Sequence, residues 1–93
     1  MRLTETEVSK IKSLTHTIVW ESKIYIFGSR IDETKEGGDI DIFLIPKSYE
    51  NMVYKQYLLK SKLEDSVFKP IDIVVANNLD TKIEEEALKG IEI

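Results

Sequence analysis

With 93 residues the chain has room for one hydrophobic core, and it reads as a single domain over residues 1–93. A composition of 42% hydrophobic and 32% charged residues with a net charge of −4 is ordinary for a soluble globular protein, and without a basic block it argues against an extended nucleic-acid surface. The lack of cysteine excludes disulfides and thiolate metal sites. No apolar run approaches the roughly 18 residues of a membrane span and the N-terminus has no signal-like apolar core, so a soluble cytoplasmic protein with no membrane contact is expected.

In chain order, "TETEVSKIKSLTHTIVW" opens with Thr4 and Glu7 at capping-box spacing, followed by Val8, Ile11, Leu14 and Ile18 at helical intervals. This predicts an amphipathic helix over roughly residues 4–21. "KIYIFG" reads as a buried strand ended by Gly28. The polar "SRIDETKEGG" follows as a loop or short helical turn, and "DIDIFLI" as a second strand stopped by Pro46. Residues 48–66 predict a second long helix, and "KPIDIVVA" a third strand. Thr81 and Glu84 start a last helix, with Gly90 placed as its C-terminal cap. The expected fold class is α/β (α+β), a small mixed sheet covered by helices in the order α-β-(short α or loop)-β-α-β-α. The terminal "IEI" either adds an edge strand or frays.

The second strand raises a physical problem. Side chains alternate across a strand, so Asp39 and Asp41 share one face, about 6.5 Å apart along the chain. Ile40, Ile42 and Leu44 take the opposite face, toward the helices. Asp72 in "PIDIVV" repeats the pattern, and three carboxylates converge if the third strand lies beside the second. Like charges together in a partly buried patch repel, so a counter-charge is needed. A hard divalent cation such as Mg²⁺ supplies it and keeps positions open for phosphate oxygens. The alternative is a solvated sheet face on which the aspartates pair with Lys or Arg. Gly28-Ser29, directly after a strand, forms a turn whose free N–H groups suit an anion, and Ser29 adds a hydroxyl.

The composite "FGSR…GGDIDIF" with the later "PIDIVV" resembles the nucleotidyltransferase superfamily typified by the DNA polymerase β catalytic domain, and most of all its small stand-alone members, the minimal nucleotidyltransferases. The resemblance spans nearly the whole chain and implies a palm-like fold. It implies that Asp39, Asp41 and Asp72 ligate two Mg²⁺ ions (or Mn²⁺) and act catalytically. Gly28, Ser29 and Arg30 would hold the triphosphate of ATP, with Arg30 alternatively anchoring an acidic neighbour. The sequence departs from the pattern at Gly38, where many relatives carry Ser, and in its acidic loop residues Asp32, Glu33 and Glu36.

The resemblance further implies transfer of AMP from ATP to a hydroxyl acceptor, in antitoxin-like members a tyrosine of a small helical HEPN-type ribonuclease toxin. Acceptor recognition is then expected from that partner or from a second copy of the chain. The competing class is a non-catalytic module that binds nucleotide or partner and acts by occupancy. Other conspicuous residues have plainer readings. His16 is a surface or boundary residue, Trp20 and Tyr25 pack on the sheet, and Tyr49, Tyr54 and Tyr57 pack along the second helix. Lys35 and Lys69 are solvated, and "KIEEEALKG" is a solvated helix face.

Overall fold

The computed structural model describes residues 3–28, 39–77 and 81–93. Seven elements follow one another: α1 (Glu5–Ile18), β1 (Ser22–Phe27), β2 (Ile40–Pro46), α2 (Met52–Val67), β3 (Ile71–Val75), α3 (Lys82–Leu88) and β4 (Ile91–Glu92). The expected order therefore stands, and the terminal segment resolves into an edge strand. The loop expected between β1 and β2 lies outside the described residues.

The four strands form one mixed sheet in the order β3-β2-β1-β4. β1 runs antiparallel to β2 and to β4, whereas β2 and β3 run parallel. The parallel pair requires a crossover, and α2 supplies it. Alternation along the strands then divides the core. Ile24, Ile26, Ile40, Ile42, Leu44 and Ile71 face α1 and α2, packing with Ile11, Leu59 and Leu63. Phe43 and its neighbours Tyr25, Phe27, Ile45 and Val74 take the other face, where Ala87 of α3 packs on them. Tyr25 and Phe43, paired in register across β1 and β2, have ring centroids 6.2 Å apart.

α1 begins with the capping box its sequence announces: Glu7 N–H donates to Thr4 Oγ1, and Thr4 N–H donates to Glu7 Oε1, each at 3.0 Å. The other Glu7 oxygen accepts from Lys69 Nζ at 2.6 Å, so Lys69 ties α1 to the segment before β3 rather than lying free in solvent. α1 ends earlier than expected, because the chain turns through Trp20 at φ 70° to enter β1. That turn leaves Trp20 exposed instead of packed on the sheet, with Lys55 Nζ 4.1 Å above its ring. α2 starts at Met52 and ends on Phe68, whose left-handed backbone (φ 58°) does the work usually given to glycine.

The last helix corrects two further expectations. Gly90 is not a left-handed cap; Lys89 is the cap residue, and its backbone is ordinary right-handed. A Cβ on Gly90 would overlap the carbonyl oxygen of Ile26, so glycine is needed for the close approach of this turn to β1. Glu84 and Ala87 are buried, so α3 has one inward face besides the expected solvated one, on which Lys82, Ile83, Glu85, Glu86 and Leu88 are exposed. Glu84 keeps hydrogen-bond partners there: Oε1 accepts from Thr81 Oγ1 at 2.9 Å and Oε2 from Asn77 N–H at 3.2 Å. Tyr54 and Tyr57 also correct the reading of α2, since both are exposed rather than packed. Tyr49 is half exposed and donates to the Ala76 carbonyl at 2.6 Å. Among the described residues no helix is long and apolar enough to cross a membrane.

Candidate active site

Register builds the site. Asp41 of β2 stands opposite Asp72 of β3 in the parallel ladder, and opposite Phe27 of β1 on its other side. Because β2 and β3 are in register and alternate in phase, the two carboxylates project from the same sheet face. Asp39, one residue ahead of β2, is exposed at the same end. The apolar residues of the opposite face, Ile40, Ile42 and Ile71, are fully buried. A one-residue slip would exchange the two sets, so burial of these isoleucines fixes where the aspartates point.

Asp41 is the centre of the group. Burial raises its carboxyl above the ordinary carboxylate range, and the charges of Asp72 and Asp39 raise it further. Beside it, Gly28 leaves β1 at φ +76°, and a Cβ there would overlap Asp41 Oδ2. The glycine thus serves two needs, a left-handed turn and main-chain passage against the carboxyl group. Ser29 and Arg30, the other two expected nucleotide contacts, lie outside the described residues, as does Lys35.

The third carboxylate is engaged elsewhere. Asp72 Oδ1 lies 3.8 Å from Lys60 Nζ, which reaches it from α2. Among the described residues no three acidic or imidazole side chains are arranged around a common point for an ion. The carboxylates are close enough to repel, yet Asp72 faces Lys60. The donor chemistry nonetheless suits a hard cation: oxygen-only ligands, a central carboxylate destabilised by burial and by like charges, and a glycine main chain packed alongside.

Lys60 has no part in the motif and was legible only as spacing. Gln56, Lys60 and Glu64 recur every four residues and so share one face of α2. Gln56 Nε2 donates to the Ile73 carbonyl at 2.8 Å, and Glu64 Oε2 accepts from Ile71 N–H at 2.9 Å. These bonds satisfy outward-facing backbone groups of the edge strand on either side of Asp72. Next to them a groove of about 390 Å³ opens between α2 and β3, lined in part by Val53, Gln56, Tyr57, Lys60 and Asp72.

The Polymerase beta, Nucleotidyltransferase family matches residues 9–93 of the chain. Among curated proteins, none gives a significant match. The matched segment contains every strand of the sheet, the Gly28 turn and all three aspartates. The chain therefore belongs to the polymerase β-like nucleotidyltransferase family, whose general chemistry is nucleotidyl transfer.

Proposed function

We propose that this protein transfers AMP from ATP to a hydroxyl group of a partner protein, with Asp39, Asp41 and Asp72 as its metal-binding and catalytic carboxylates. The observation that carries this reading is the alignment of Asp41 with Asp72 across β2 and β3, with the Gly28 main chain against Asp41. In the reaction the acceptor oxygen attacks the α-phosphorus, the bond from that phosphorus to the bridging oxygen breaks, pyrophosphate leaves, and the hydroxyl proton is released.

Divalent ions, held by the three aspartates, would supply charge neutralisation of the triphosphate and of the attacking oxygen. The remaining work falls to the chain. Gly28 lets phosphate oxygens approach the backbone, and Ser29 and Arg30 add donors for the triphosphate. Asp41, destabilised as an anion, favours whatever cation relieves it. The strand order puts Gly28 and Asp72 on opposite flanks of Asp41. Nucleotide at the Gly28 flank leaves the Asp72 flank for the acceptor, where Val53 and Tyr57 expose apolar surface beside the α2–β3 groove. Such a surface suits a protein acceptor, and a tyrosine of a small helical HEPN-type toxin is the partner class we favour.

A second reading, an antitoxin acting by occupancy, draws support from the Lys60–Asp72 pair and from the lack of a ready three-carboxylate set among the described residues. One experiment separates the two. The wild-type protein and an Asp39→Asn, Asp41→Asn variant are incubated with the candidate toxin and ATP labelled at the α-phosphate. Label on the toxin, lost in the variant while toxin binding persists, supports transfer. Neutralisation of the toxin by the variant without label supports occupancy.

A further inference from the structure

We propose that Lys60 is a positioning residue for the metal site: its ammonium group is an internal counter-cation that Asp72 gives up when a divalent ion binds, so Lys60 weakens and tunes metal affinity. The inference rests on the nucleotidyl-transfer reading of the aspartates.

The placement of Lys60 is built into the fold. One helical turn before it, Gln56 holds the carbonyl of Ile73; one turn after it, Glu64 holds the N–H of Ile71. These two contacts fasten α2 to β3 on both sides of Asp72, and Lys60 between them is delivered to the edge of the strand. From that edge its side chain reaches the carboxylate of Asp72.

The contact itself is exchangeable. At 3.8 Å it is an ion pair without a hydrogen bond, and both side chains are about half exposed, 43% for Lys60 and 57% for Asp72. Such pairs are weak and screened by salt. A divalent ion bound jointly by Asp41 and Asp72 brings twice the charge and direct coordination, so it displaces the ammonium. A positive charge left near the site then opposes the ion, and removing it strengthens binding. Arginine keeps the charge, whereas methionine keeps the apolar stem and removes it.

The test is calorimetric titration of Mn²⁺ into wild type, Lys60→Met, Lys60→Arg and Asp41→Asn, with a non-hydrolysable ATP analogue present and circular dichroism confirming the fold of each. Lys60→Met should bind Mn²⁺ about two- to fivefold tighter than wild type, the range set by half-exposed ion pairs. Lys60→Arg should bind as wild type does, and the gain in Lys60→Met should shrink at high salt. Unchanged or weaker Mn²⁺ binding in Lys60→Met, with binding still lost in Asp41→Asn, would overturn the role of Lys60 and leave the metal site standing. Mn²⁺ binding that survives Asp41→Asn, or that no protein shows, would overturn both.

Discussion

The backbone of Gly28 passes so close to the carboxyl group of Asp41 that no side chain fits between them. Two elements separated in sequence, the turn that ends β1 and the carboxylate at the start of β2, are thereby made one unit. Gly28→Ala is expected to cost about 1–2 kcal/mol from the left-handed backbone alone, and more from collision with Asp41. The collision share should vanish in an Asp41→Ala background, where the oxygen is gone. Denaturant melts of the two single variants and the double variant measure that coupling.

Asp41 itself is predicted to trade stability for its role. Its carboxyl titrates above the ordinary value of 3.8 because burial, Asp72 and Asp39 all oppose its charge. A raised carboxyl favours the folded state when protonated, so the ionised form at neutral pH destabilises the fold. Asp41→Asn should therefore raise Tm at pH 7, and that advantage should fade as pH falls through the folded-state pKa of Asp41. Mn²⁺ should raise the Tm of wild type and leave Asp41→Asn unmoved. Thermal melts across pH 3.5–7.5 follow both effects.

Glu7 behaves in the opposite sense. Burial pushes its carboxyl up, but the hydrogen bond and charge of Lys69, together with the Thr4 backbone and side chain, outweigh it and leave it below the ordinary 4.5. A lowered carboxyl contributes stability that is present above the ordinary value and lost as pH falls through the lowered one. Glu7→Ala keeps the Glu7 N–H bond to Thr4 Oγ1 but removes the acceptor of Thr4 N–H and the Lys69 contact together, and should cost about 1–2 kcal/mol near pH 7. The difference from wild type should narrow in acid, which urea melts at pH 7 and pH 3 check.

Gly90→Ala should loosen the edge of the sheet. The added methyl would overlap the Ile26 carbonyl, and relieving that overlap moves β4 away from β1. A loss of about 1–3 kcal/mol is expected for such overpacking. Hydrogen exchange at Ile93, whose N–H donates to the Ile24 carbonyl at 2.9 Å, should accelerate more than exchange at central β2 amides.

These relationships differ in how far the sequence discloses them. Strand alternation is a local property, so the placement of Asp41 on the face opposite Ile40, Ile42 and Leu44 is legible from residue order. The Thr4–Glu7 capping box was legible for the same reason. Residue order leaves open whether β3 lies beside β2, and the parallel register settles it by setting Asp41 opposite Asp72. What residue order does not disclose depends on tertiary contact. Nothing local marks Lys60 as the partner of Asp72 or Lys69 as the partner of Glu7, because 12 and 62 positions of sequence separate those pairs. The exposure of Trp20 is not legible locally, because a non-glycine residue at φ 70° ends α1 early. The position of Gly90 suggests a cap, whereas the nearness of the Ile26 carbonyl is what requires glycine there.

Whether Asp39, Asp41 and Asp72 form a metal-dependent nucleotide site is measured directly by calorimetric titration with ATP in the presence and absence of Mg²⁺. Wild type should bind ATP only with Mg²⁺, and the Asp39→Asn, Asp41→Asn variant, still folded, should not bind it. ATP binding that needs no metal, or that survives in the variant, would contradict the claim.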